Sequence, residues 1–303
     1  MPTTQRTRQI TLLAKQTQLL EPFKTSMESL GQKVIHIEST EEAVQMVRND
    51  ACEVLVHVLQ DFERNDVGFF HHRLVRSEHG TKVSRFIVYR GENTRAMAFA
   101  ADCGMLKGIQ AEKAISTMGA ALEFALQGFE QLTADVQKAH QLVASGDCVF
   151  DAETADFIQQ IAQQYPNLKS FQCASARLSL MKGDIKKAAV QTRRILDDEP
   201  WNVRALSLLG DILLEAGNVQ EAQRLLMAAE GIAAGNPFRL LSLARLYIKL
   251  EQVESAKSCL QKSIEIRPIP ETINKVLNEL SLDDEEKSKI SLSIDETMAK
   301  ILN

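Results

Sequence analysis

No apolar run in this 303-residue chain approaches the roughly 20 residues that cross a bilayer. The opening segment, MPTTQRTRQITLLAKQTQ, is too interrupted to read as a secretory signal. An excess of one charge is also missing: 35 Lys and Arg against 40 Asp and Glu leave a net charge of −5. Such a balance carries no broad footprint for nucleic acid or an acidic membrane surface. Aromatic residues make up only 5% of the chain, while Leu and Ala abound, a balance that favours helices. The five cysteines, Cys52, Cys103, Cys148, Cys173 and Cys259, are scattered and form no CxxC pair. An odd, dispersed set fits reduced thiols in a cytoplasm rather than a disulfide or zinc framework. No GxGxxG, Walker loop, nucleophile elbow or HExxH occurs, so no catalytic, cofactor-binding or metal-binding residue is expected. What is present is ordinary globular material, 45% hydrophobic and 25% charged, long enough for two domains.

The second half carries a period. Gly183, Gly217 and Glu251 are spaced by 34 residues, as are Ala188, Ala222 and Ala256, and Ala176, Gly210 and Ala244. Pro200, Ala234 and Pro268 keep the same interval. Small residues in fixed columns among leucines point to two closely crossing helices per unit, because a larger side chain would hold the axes apart. Gly210 and Ala222 are expected at that crossing, and Gly217 at the turn, where positive φ is needed. Pro200 and Pro268 follow helix ends, where a missing N–H costs little. Three units are predicted at 169–202, 203–236 and 237–270. A degenerate hairpin from 130–145 and 151–164 is expected before them, and a closing helical pair after them.

A 34-residue helix–turn–helix with this pattern resembles the tetratricopeptide repeat. The resemblance implies an all-α superhelix over 148–303 that binds another protein or peptide segment in a groove. In that family the first helix of each unit lines the groove through its second, fifth, ninth, twelfth and thirteenth places. Carried over, these places hold Arg177 and Met181 in the first unit, and Arg204, Ser207, Asp211 and Glu215 in the second. The third supplies Phe238, Leu241, Arg245, Ile248 and Lys249. The amide side chains of a carboxylate clamp are missing. The floor is mixed, apolar in the third unit, with Arg177, Arg204, Arg245 and Lys249 placed to meet an acidic segment or to stand as solvated helix-face charges.

The first third alternates differently. Apolar strand-like runs (QITLLA, KVIHIES, CEVLVHVL, SRFIVYRG, LKGIQA) alternate with helix-like segments, among them TEEAVQMVRND with a cap at its opening threonine. Five strands alternating with helices predict a doubly wound parallel sheet. The pattern resembles the flavodoxin-like (CheY-like) receiver domain of bacterial response regulators. Phosphotransfer in that family needs paired acids after the first strand, an Asp ending the third, a Thr or Ser ending the fourth and a Lys ending the fifth. Here the corresponding places hold Ala14, Lys15 and Gln16; His57 and Val58, with Asp61 late; Tyr89 and Arg90; and Gln110 and Ala111, with Lys113 late. A hard cation has no carboxylates to bind at the first of these places, so the domain reads as a pseudo-receiver. His57 is expected to be a core residue, and His71, His72 and His79 to be solvated surface rather than metal ligands.

Between the halves, Met118, Leu122, Ala125, Phe129, Leu132, Val136, Ala139 and Val143 alternate in steps of 4 and 3. Such an a/d stripe predicts one long helix from about 112 to 145. Its second half either packs as part of the first, degenerate repeat or pairs with a second chain through Phe129, Leu132 and Val136, giving a homodimer. The domain boundaries read as 1–126 for the receiver-like domain, 127–147 for the linking helix and 148–303 for the repeats. The function expected is that of a cytoplasmic, non-enzymatic adaptor in bacterial signalling, binding protein and neither nucleic acid nor membrane. A phosphorylation-responsive regulator with the repeats as output, and a secretion-type chaperone, are the alternatives.

Overall fold

The computed structural model describes residues 7–15, 18–59, 64–74, 82–89, 97, 100–103, 105, 107–110, 115–144, 151–280, 288–290, 292–294 and 297. The chain divides into two compact units, one of residues 1–63 with 74–145, the other of 64–73 with 146–303.

The first unit is built on five parallel strands: β1 (Gln9–Leu13), β2 (Lys33–Ile37), β3 (Val54–Leu59), β4 (Ser84–Tyr89) and β5 (Lys107–Gln110). Their order across the sheet is β2-β1-β3-β4-β5. Parallel neighbours need crossovers. Helices α1 (Leu20–Ser29) and α2 (Thr40–Arg48) connect the first three strands, and α3 (Arg64–Leu74) lies between β3 and β4 in the chain. Helix α4 (Ile115–Glu130) follows β5. Central strands read as nearly continuous apolar runs because both faces of a parallel sheet are covered. Ile10, Leu12, Val54, Val56, Phe86 and Val88 pack with Phe23 and Met27 of α1 and with Leu122 and Leu126 of α4. Leu55 and Ile87, one residue out of phase, are buried on the opposite face. The cap of α2 is Ser39 rather than Thr40: its hydroxyl accepts from the Glu41 and Glu42 amides.

The single long helix expected across 112–145 is interrupted. Helix α4 ends at Glu130, and α5 (Ala134–Ala144) begins after a turn at Gln131–Thr133. Two side chains explain the break. Thr133 Oγ1 accepts from the Val136 amide at 3.4 Å and starts the second helix. Gln137 Nε2 lies within donating distance of the carbonyls of Phe129, Glu130 and Leu132, and so caps the chain where α4 stops. The stripe therefore does not run along one axis. Val136 is 1% exposed within the chain, and Phe129 is half-buried with its ring edge-on to His140. Leu132 alone of the expected seam stands exposed, so the three residues form no continuous surface for a second chain. The histidine expectation also needs correction, because His71 and His72 are buried on α3; His79 lies outside the described residues.

The second unit contains the repeats. Helices α7 (Lys169–Met181) and α8 (Ile185–Asp198) form the first, α9 (Val203–Glu215) and α10 (Val219–Ile232) the second, α11 (Pro237–Lys249) and α12 (Val253–Ile266) the third. All six residues of the two small columns, Ala176, Gly210, Ala244 and Ala188, Ala222, Ala256, lie in the interior. At Gly210 a Cβ would sit 2.7 Å from Leu226 Cγ, so the crossing of α9 and α10 leaves no room for a side chain there. The turns repeat as well. Gly183, Gly217 and Glu251 all take positive φ, at 80°, 81° and 58°. Each donates its amide three residues back, and the next residue five back, closing the same two-bond helix end in every unit. Before the first unit, α6 (Ala152–Gln164) packs on α7. Of the two helices expected to form the degenerate hairpin, α5 falls in the first compact unit and α6 in the second. After the third unit, α13 (Pro270–Glu279) extends the series, and Ile290 and Ile294 cover its core.

Candidate partner-binding groove

The first helices of successive units touch one another, α7 to α9, α9 to α11 and α11 to α13. Their shared face is where the groove residues were expected, and its charges are organised at the repeat interval. Arg177, Asp211, Arg245 and Glu279 are each 34 residues apart, so one structural position alternates in sign along four units. Arg177 pairs with Asp211, and Arg245 Nε lies 3.2 Å from Glu279. Arg245 also reaches back to Glu215 at 2.8 Å. Burial works against the Arg245 charge, but the two carboxylates outweigh it and hold its pKa above the usual value. Asp211 is buried against its partner. Two of the three arginines expected to meet an acidic ligand, Arg177 and Arg245, are therefore engaged by carboxylates of the chain itself.

Two further groove candidates face inward. Leu241 is 2% exposed and belongs to the core formed with α12 and α13. Ser207 is buried, donates to the Val203 carbonyl and accepts from Arg239 Nη1 at 3.2 Å. These places are occupied by packing and cannot contact a ligand in this arrangement. Arg239, which sequence reasoning passed over, is itself fully buried. Its guanidinium donates to Glu230 at 2.7 Å and to the Ala233 carbonyl, while Glu230 also accepts from the Gly235 amide. This side chain ties the second unit to the third.

The remaining candidates are accessible. Met181 is 51% exposed, and Lys249 is exposed and makes no ion pair among the described residues. Arg204, Phe238 and Ile248 are half-buried, and Arg267 lies over the Phe238 ring at 6.0 Å from its centroid. The accessible part of the face is thus a mixture of thioether, aromatic and aliphatic surface with a lysine at its edge. Glu279 and Glu215 are the polar groups that the list of expected contacts lacked or left unpaired. The first was readable from the interval alone, since it is 34 residues beyond Arg245.

In the sheet unit, the C-terminal ends of the strands are where a doubly wound sheet binds ligands. Ala14 and Lys15 follow β1, His57 and Val58 lie in β3, Tyr89 ends β4 and Gln110 ends β5. Gln16, Asp61, Arg90, Ala111 and Lys113 lie outside the described residues. Desolvation pushes His57 down to about 4, so its imidazole is neutral near pH 7. Among the described residues no three His, Cys, Asp or Glu side chains gather as a metal site. No described helix is long and apolar enough to cross a membrane.

Family models of the tetratricopeptide repeat match residues 179–237 and 240–270. The chain therefore carries tetratricopeptide repeats over the second and third helical pairs and much of the first. No family model identifies a receiver domain. A search of curated proteins finds no match. Repeats of this kind mediate binding to other proteins, and that is the level at which the function follows from the match.

Proposed function

We propose that this protein is a non-enzymatic adaptor of bacterial signalling, in which a receiver-like domain without phosphotransfer chemistry is coupled to repeats that bind a partner protein in the cytoplasm. The observation that carries the reading is the pre-paired ladder Arg177–Asp211 and Arg245–Glu279 along the helices of the groove. It spends the strongest cations on holding successive units in register, and leaves Met181, Phe238, Ile248 and Lys249 for a ligand. A partner segment that is apolar with an occasional acid fits this face better than a strongly acidic one. For the first unit, the strand order β2-β1-β3-β4-β5 agrees with flavodoxin-like folds. The residues at its strand ends supply neither the paired acids nor the nucleophile that aspartyl phosphorylation requires.

Two measurements test the two halves separately. Incubation with acetyl phosphate and Mg²⁺ should leave the mass of the protein unchanged; a stoichiometric phosphoryl adduct would revive the phosphorylation-responsive reading. Affinity capture from a native bacterial lysate with the full chain should enrich a defined partner, and Phe238→Ala combined with Lys249→Glu should lose it. Retention of the same partner by that variant removes the groove from the proposal.

A further inference from the structure

The second helices of the units turn one face to solvent, and α8 differs there from its two counterparts. Val190 is 69% exposed, and the residues at its four helical neighbour places, three and four positions before and after, are Lys187, Lys186, Arg193 and Arg194. All four are exposed, and none forms an ion pair within 4 Å among the described residues. Asp198, whose carboxylate feels the charge of Arg194, is held by Lys169. At the 34-residue step the ring is not repeated. Where α8 has Lys187, α10 has Glu221, which pairs with Arg224; where α8 has Lys186, α12 has Glu254, which pairs with Lys257. Arg224 of α10 and Lys257 of α12 are thus paired on their own helices, and among the described residues α12 keeps a single unpaired cation, Lys262, where α8 groups four. The first turn of α8 moreover contains two lysines and no acid, against the sense of the helix dipole.

We propose that the solvent face of α8 docks an acidic helical segment of a partner protein, with carboxylates meeting Lys186, Lys187, Arg193 and Arg194 around an apolar side chain seated on Val190. The patch is about two turns, roughly 12 Å long, the size of one face of a short helix. Duplex nucleic acid needs a longer run of phosphate contacts, and a membrane-surface helix needs a continuous apolar stripe rather than one valine. Charge complementarity also favours a polypeptide acid, since four cations surround Val190 on this face. The surface is distinct from the groove, so the proposal stands or falls independently of the groove reading.

The test uses the full-length protein and a labelled synthetic helix of about four turns, with glutamates flanking a central leucine. Fluorescence anisotropy at low salt should report saturable binding that the glutamine version of the same helix lacks. The variant Lys186→Glu/Lys187→Glu/Arg193→Glu/Arg194→Glu should weaken binding by at least about tenfold, its glutamine counterpart by less, and Val190→Asn by a few-fold. Arg224→Glu, on a helix whose cation is already paired, should leave it unchanged. Circular dichroism must show native helicity in each variant for its titration to count; should the glutamate variant unfold, the glutamine variant decides. Undetectable binding, equal binding of the glutamine helix, or binding unaffected by the quadruple change overturns the proposal. So does tighter binding to a DNA duplex or to phosphatidylserine vesicles, or self-association that the quadruple change abolishes, which would make the occupant a second copy.

Discussion

Each unit buries an arginine against carboxylate, two groups in one case and one in the other, but the chain separations differ by an order of magnitude. In the sheet unit Arg8, 3% exposed, donates to Glu123 at 2.9 Å and to Glu130 at 2.6 Å, more than 100 residues away. Its amide donates to Gln32, and Glu123 Oε1 is buried without a hydrogen-bond partner among the described residues. In the repeat unit Arg239 meets Glu230 only nine residues away, and Glu230 retains 26% exposure of its side chain. One cluster forms only when the two ends of a domain are brought together; the other is nearly local. Buried ion pairs of the first kind are costly to break, because the abandoned carboxylate has no water to turn to.

The largest expected effect therefore belongs to Arg8→Met. It leaves Glu123 buried and uncompensated, and should destabilise the sheet unit by about 3–5 kcal/mol. Hydrogen exchange should show the loss in residues 9–59 and spare 203–266. If both regions lose protection equally, the two units do not unfold separately and the comparison fails.

A second difference is pH. His57 in β3 is held neutral down to about 4, whereas the unfolded chain takes up that proton below about 6.5. Between these values the unfolded state binds more protons, so the sheet unit should lose stability as pH falls through the window, by up to about 3 kcal/mol. The stability contributed at neutral pH should be gone by pH 4. Denaturant titrations at pH 7 and pH 4.5 measure it, and His57→Asn should flatten the dependence; an unchanged slope in that variant would place the acid sensitivity elsewhere.

The repeats should respond most to volume. Gly210→Leu puts a side chain where even a Cβ meets Leu226 at 2.7 Å, an overpacking cost of about 1–3 kcal/mol. Adding Leu226→Ala should recover part of it. A melting curve that matches wild type would mean the α9–α10 crossing has room that the structure denies. The smallest effect runs the other way. Glu251 takes the positive φ that glycine takes at the two equivalent turns, so Glu251→Gly should stabilise the third unit by about 1 kcal/mol. Calorimetry detects a shift of that size, and a lower Tm would contradict the strain argument.

These contrasts track what was readable beforehand. The small columns, the helix pairs and the turn at Gly217 follow from residues a fixed interval apart, and a fixed interval in the chain is a fixed place in a stacked array. The groove was less readable. Arg177 and Arg245 looked available because sign alternation across four units is a tertiary relation, visible only once α7, α9, α11 and α13 lie side by side. The helix break at 131–133 was concealed by an apolar stripe that continues through it, while the deciding residue, Gln137, caps from the far side of the break. His71 and His72 read as surface because a polar residue in an amphipathic segment carries no mark of what will cover it.

Local chemistry in the sequence determined the units, their period and the parallel sheet: repeated small residues set helix spacing, and β-branched runs set strands. Tertiary structure decided which charges face one another. Arg8 finds Glu123, Asp211 finds Arg177, and the cations around Val190 form no ion pair among the described residues, because an ion pair depends on distances of a few ångströms that residue type does not encode.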